Sequence, residues 1–175
     1  DLGTLYNVQG RFNDAEPLLI RSWKYRERTL GKEHNDTLNA MQNLAALYQN
    51  ASRLREAADL LEKVLELRRR VQGEDHRSSL AGMVNLGLLY QTQGRFAEAE
   101  TTLNGAWERL RRVDGEEGPI TLACMSNLAG VFEKQGRFDA AATLHERTLE
   151  ARRRVLGEQH PKTFDSLHNL AIVYL

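Results

Sequence analysis

Four groups of residues in this chain have the types and the spacing to do chemistry. His34, His76 and His160 stand at multiples of 42 residues, and imidazoles invite a metal. A zinc ion holds its ligands at about 2 Å, whereas packed helical units stand on the order of 10 Å apart. These histidines cannot share an ion, so capping or linker packing is expected and no metal. Cys124 has no second thiol and sits among Ala123, Met125 and Leu128, which suits a small buried filler. The chain has no serine in a glycine elbow, no phosphate-cradling glycine loop and no His-Glu-x-x-His. No catalytic residue and no cofactor are expected, and the chain is read as a non-enzyme.

Arginines and asparagines form the other two groups. Arg26 and Arg28, Arg68 to Arg70, Arg111 and Arg112, and Arg152 to Arg154 share one register. Aligned, they would make a basic ridge able to meet phosphates. Against that, Glu33, Glu74, Asp75, Glu116, Glu117 and Glu158 follow within a few residues. No aromatic series accompanies the arginines for base stacking, and cations at helix C-termini complement the helix dipole without any ligand. The structural reading is preferred, and nucleic acid is disfavoured as a partner. Asn43, Asn85, Asn127 and Asn169 recur every 42 residues, and an amide donates and accepts at once.

The elements that must position these residues come from the same period. Asn85-Leu86-Gly87-Leu88-Leu89-Tyr90 closed by Gln93-Gly94-Arg95-Phe96 returns as Asn127 to Phe132 closed by Gln135 to Phe138. Earlier it reads Asn43 to Tyr48, closed by Ser52-Arg53-Leu54, and copies open and close the chain. A period of 42 residues without insertion means stacked supersecondary units. The expected organisation is one array over 1–175, with partial units 1–34 and 161–175 around 35–76, 77–118 and 119–160. The array is expected to be a fragment of a longer chain.

Each unit reads as two helices. First helices are expected near 36–50, 78–92, 120–134 and 162–175, with a partial one at 1–9. Second helices are expected near 12–30, 54–72, 96–113 and 138–156. Met83, Leu86, Gly87 and Tyr90 form one apolar stripe, and Gly94 can take the left-handed turn that ends the helix. Gly31, Gly73, Gly115 and Gly157 stop the second helices. Pro119 and Pro161 fall where a first turn tolerates a missing donor, and Pro17 is placed near its helix start. Gly3, Ala45, Gly87, Ala129 and Ala171, and likewise Ala15, Ala57, Ala99 and Ala141, keep the helix crossings close. Met41, Met83, Met125 and Leu167 are read as core.

At these residues the chain resembles the tetratricopeptide repeat. The 42-residue period, Asn-Leu-Ala, and a linker such as Leu156-Gly157-Glu158-Gln159-His160-Pro161 are similar to the kinesin light chain variety. Related repeats occur in fungal immune-receptor-like ATPases and in regulatory tails of bacterial protein kinases. The resemblance implies an all-α fold, a right-handed α-solenoid of antiparallel helix pairs, acting as a protein-interaction module. Departures fall in the loops: His34-Asn35, His76-Arg77 and Gly118-Pro119 for His-Pro, Ala51-Ser52 for the Gln-Gly turn, and Asp1 for the first asparagine.

On a helix turning about 100° per residue, Asn85 points roughly 150° from the apolar stripe, away from its own helix pair. In tetratricopeptide solenoids that face lines a concave groove. Asn43, Asn85, Asn127 and Asn169 are therefore the expected contacts to the backbone of an extended peptide. Gln42, Ala46, Gln49, Val84, Leu88, Gln91, Ser126, Glu133, Lys134 and His168 are expected to set specificity, in a groove without the basic run of a carboxylate clamp. The expected function is recognition of a protein or peptide ligand, of cargo-adaptor, scaffold or sensor type. The alternative is a spacer or oligomerisation scaffold that self-associates through exposed repeat ends.

Composition agrees with this class. Lys and Arg number 24 against 24 Asp and Glu, so no net field steers the chain to an anionic surface. Three prolines leave room for long helices, and one cysteine excludes an internal disulfide and fits a reducing, cytoplasmic setting. No apolar run reaches the roughly 18 residues of a membrane span.

Overall fold

The computed structural model describes residues 2–174, and among them the chain forms helices α1 to α9 joined by short turns. They are α1 (Leu2–Val8), α2 (Phe12–Leu30), α3 (Asn35–Asn50), α4 (Leu54–Gln72) and α5 (Arg77–Thr92), followed by α6 (Phe96–Val113), α7 (Pro119–Lys134), α8 (Phe138–Leu156) and α9 (Pro161–Val173). Boundaries follow the 42-residue frame to within about two residues. Asp1 and Leu175, on which two of the readings above fall, lie outside the described residues. The chain divides into two compact units, residues 1–74 and 75–175. Within each, consecutive helices pack on one another, and α1 also touches α3 as α5 touches α7.

The expected stripes are the observed cores. In the first unit Ala15, Leu19, Leu44 and Leu47 cluster beneath Tyr6, Phe12 and Trp23. Leu38, Met41, Val64 and Leu67 form a second cluster. Leu80, Met83, Leu103, Leu110, Met125 and Leu128 are buried in the second unit. Each such side chain contributes about 1.5–3 kcal/mol on leaving water. Ala15, Ala57, Ala99 and Ala141 are all fully buried. A Cβ added to Gly87 would lie 2.6 Å from Leu103 Cγ, so this crossing is as close as the small residue allows.

The turns show which departures matter. Gly10, Gly94 and Gly136 have φ of 74°, 75° and 74°, and Ser52 takes φ 60° in the same place, so the altered turn keeps its geometry. Pro17 is a correction. It is the sixth residue of α2, past the first turn, and costs that helix one backbone donor.

The linker histidines are helix caps. Nδ1 of His34, His76 and His160 accepts the backbone N–H of Asp36, Ser78 and Lys162, each at 3.2 Å. The remaining linker has Gly118, and there Asp114 Oδ2 accepts the equivalent N–H of Ile120 at 3.1 Å. A Cβ on Gly118 would lie 2.1 Å from that oxygen, so the glycine and the replacement cap belong together. Asp114 also ends α6 ahead of Gly115 and pairs with Arg77.

A second ladder escaped the sequence reading. Arg11, Arg53, Arg95 and Arg137 lie over the rings of Tyr6, Tyr48, Tyr90 and Phe132, at 4.1, 4.2, 4.2 and 4.0 Å from the centroids. Arg53 and Arg137 also bond Glu16 and Glu100 of the preceding repeat at 2.8 Å. The aromatic thus fills the helix crossing while the arginine closes its outer side.

Apolar side chains are exposed on the first and last helices described. Phe164 of α9 and Tyr174, which caps it, are 56% and 65% exposed, whereas Leu122 and Phe132 at the same positions of the α7 repeat are buried. Leu167 also departs from its buried methionine counterparts, and Leu2, Leu5 and Val8 are exposed on α1. Among the described residues no helix is long and apolar enough to cross a membrane.

Candidate functional site

Among the described residues the asparagine register is a set of polar groups that the fold repeats and leaves open. Asn43 and Asn85 are exposed, and Asn127 and Asn169 are half-buried. Among the described residues none of these four amides has a hydrogen-bond partner in the protein. Several amides elsewhere do. Asn50 Nδ2 donates to Asn7 Oδ1 at 3.0 Å, Gln72 to Asn35 at 2.6 Å, and Gln135 to Glu100 at 2.9 Å. In the second unit Asn85, Asn127 and Asn169 occupy one register of α5, α7 and α9.

The residues around that register have separate fates. Leu88 is exposed on α5, Lys134 on α7 and His168 on α9; Ala46, Gln49 and Gln91 are half-buried. Gln91 extends over α7, where its Nε2 lies 2.9 Å from the place a Cβ on Gly130 would take. Gly130 therefore makes the notch that the Gln91 amide occupies. Val84 is a correction, because it is buried and cannot read a ligand as it stands. It stands four residues after buried Leu80 and three before buried Gly87, on the core side of α5. Gln42 is also engaged: its Oε1, like Asn39 Oδ1, accepts from Arg68 Nη2, at 2.8 and 2.9 Å. Ser126 Oγ is buried without a partner.

Two of the clustered arginines are not surface groups. Arg68 and Arg152 are buried, and burial lowers both below the ordinary guanidinium value. Arg152 Nη1 donates to Lys162 O at 3.0 Å and to Ser166 Oγ at 2.7 Å. Arg70 pairs with Glu33, Arg154 with Glu117, Arg111 with Glu116 and Arg153 with Glu158. Glu116 and Glu158 each pair with an arginine of the cluster they follow, whereas Glu33 and Glu117 pair with an arginine one repeat on, so ion pairs within and between repeats hold these arginines. Cys124 is buried, its Sγ 3.3 Å from Leu103 O, and burial pushes the thiol up to about 12. Such a thiol is a poor nucleophile and a poor metal ligand.

One pair was missed. His145 is 1% exposed on α8, and its Nε2 lies 2.6 Å from Glu133 Oε1 on α7. Leucine fills the corresponding positions 19, 61 and 103, and glutamine stands at 49 and 91 where Glu133 stands. Leu→His and Gln→Glu change together in this repeat. Aligning the registers side by side carries that signal; reading α7 alone does not.

Comparison with known proteins decides the family. The tetratricopeptide repeat family model matches residues 1–70, 47–106, 78–153 and 121–175, together the whole chain. The chain belongs to the tetratricopeptide repeat family. Among solved structures it is similar to the putative kinesin light chain of Podosopora anserina with nearly identical tetratricopeptide-like repeats. That similarity is 29% identity and a TM-score of 0.82 over 99% of this chain and 82% of that one. A substituted form of the same protein gives 28% and 0.84 with the same coverage. BtubC (BKLC) of P. vanneervenii gives 26% and 0.86 over 99% of this chain and 69% of that one. No curated protein sequence matches the chain significantly. The tetratricopeptide helix pairs of the family and the all-α fold are those expected, and so is the kinesin light chain-like type of the repeats. Tetratricopeptide repeats are in general protein-interaction modules.

Proposed function

We propose that this tetratricopeptide protein binds an extended segment of a partner protein along the asparagine face, in the cytoplasm. The observation that carries the reading is the contrast among amides. Asn85, Asn127 and Asn169 stand in one register of α5, α7 and α9 without a partner, while Asn39, Gln42, Asn50, Gln72 and Gln135 are engaged. An unengaged amide pairs with a peptide C=O and N–H whatever the side chain between them. First helices about 10 Å apart meet a strand advancing about 3.3 Å per residue once in every three residues. Leu88, Gln91, Glu133, Lys134 and His168 then face the ligand side chains, and Asn43 offers the same group in the first unit.

The test is calorimetry on Asn85→Ala/Asn127→Ala with a partner segment that binds the wild type. Affinity should fall by more than about tenfold, which one or two lost hydrogen bonds supply. The melt should be unchanged, because exposed Asn→Ala in a helix is neutral or favourable. Unchanged affinity moves the site off this face.

The exposed Phe164, Leu167 and Tyr174 support a second reading, in which copies associate through the apolar face of α9. Mass measured across concentration tests it, with Phe164→Glu expected to shift the chain toward monomer. A wild-type chain that is monomeric at every concentration excludes that association.

A further inference from the structure

The fourth repeat differs from the others by a matched pair of changes, and that pair adds a charge to the proposed binding face. Glu133 stands in the register of Asn7, Gln49 and Gln91, so the rung that is elsewhere a neutral amide is here a carboxylate. Its side chain remains 23% exposed. Behind it, His145 is buried where Leu19, Leu61 and Leu103 fill the core of the other repeats. Nε2 meets Glu133 Oε1 at 2.6 Å, and Nδ1 is buried without a partner. A proton on Nε2 satisfies both groups, whereas one on Nδ1 would face the core with nothing to accept it. The imidazole therefore donates to Oε1 and leaves the second carboxylate oxygen free to accept from outside.

A leucine would fill position 145 at lower desolvation cost, so packing alone does not account for a histidine there. Nor does stability account for the glutamate, since glutamine serves the same register in α3 and α5. We propose that Glu133, held in place by His145, is a docking point for a lysine or arginine side chain of the bound segment. This rests on the asparagine-face reading and narrows it to basic ligands at one position. Arg147, the nearest arginine along α8, pairs with Glu116 instead, at 3.5 Å, and Lys134 on α7 beside Glu133 has no ion pair among the described residues. The carboxylate has no internal cation to satisfy it, and His145 is its one partner among the described residues.

The probe is a library of random ten-residue peptides displayed on phage and selected on the whole chain. Selection on wild type should enrich lysine or arginine at one position, and selection on Glu133→Gln should lose that preference. Glu108→Gln, the same change of charge on α6, should keep it. A synthetic peptide from the enriched set should bind Glu133→Gln about tenfold more weakly, the usual worth of a hydrogen bond to a charged group. His145 is a positioning residue, so His145→Leu should restore the packing of the other repeats and hold or raise the melt, yet weaken that peptide. His145→Gln, which keeps a donor, should recover part of the loss. Binders that depend on Asn85 and Asn127 but show no basic preference would overturn this inference alone. Equal binding by His145→Leu would overturn the role of the histidine. No retained peptide, or binders indifferent to both asparagines, would overturn the face reading and this inference with it.

Discussion

At position 52 the turn between α3 and α4 requires a positive φ, and the chain supplies serine where the corresponding turns have glycine. The left-handed conformation costs a non-glycine residue about 1–2 kcal/mol, of which glycine would return about 0.4–1 kcal/mol to unfolded-chain entropy. Ser52→Gly should therefore stabilise the protein by roughly 0.5–1 kcal/mol, read as a higher denaturant midpoint. The same scale explains which candidate residues were legible. The outward asparagines follow from a rotation of about 100° per residue, which needs no knowledge of neighbours. Val84 and Gln42 do not follow from it, because their exposure is set by side chains from a second helix. Arg68 reaches Gln42 from 26 residues away, and no spacing rule within α3 announces that.

Among helices, the close crossings and the caps carry the testable consequences. Ala99 is fully buried in the register shared by Ala15, Ala57 and Ala141. Ala99→Leu should destabilise by about 1–3 kcal/mol through overpacking, and a thermal melt unchanged by it would contradict the register. Asp114 takes the capping role that the histidines have elsewhere, and Asp114→Ala should cost about 1 kcal/mol. Gly118→His in the wild type meets the Asp114 carboxylate and should also destabilise. Combined with Asp114→Ala it should recover most of the loss, since the imidazole can then cap Ile120. Urea unfolding of the two single variants and the double one measures that coupling, and simple additivity would refute the exchange of caps.

For the molecule as a whole, Glu100 and Cys124 make stability depend on pH in opposite directions. Arg137, followed by Gln135, lowers the carboxyl of Glu100 below its ordinary range. A depressed carboxyl contributes stability that is present above its unfolded value and is lost as pH falls through the folded one. Stability should decline on acidification below about pH 4.5, less steeply in Arg137→Gln. Cys124 behaves oppositely, because burial raises its thiol from 9.0 to about 12. The unfolded thiol ionises first, so stability is complete below pH 9.0 and is lost as pH rises toward 12. At pH 8 iodoacetamide should modify Cys124 only when the unit holding α7 opens. Its labelling rate should rise with urea in step with the loss of helix, and fast labelling of the native protein would contradict the burial.

The repeat, the helix boundaries and the helical class were legible from residues alone, because a strict 42-residue period superposes four readings of one local pattern. Apolar spacing, turn glycines and small residues are short-range signals, and each copy corrects the noise in the others. Tertiary structure decided the features that pair residues across helices. Asp114 stands in for a histidine cap, Arg68 and Arg152 turn inward, and His145 leaves the leucine pattern to meet Glu133. These are the places where one copy departs from the period. A departure has no second copy to explain it, and its energy lies in a contact that exists only once the helices have packed.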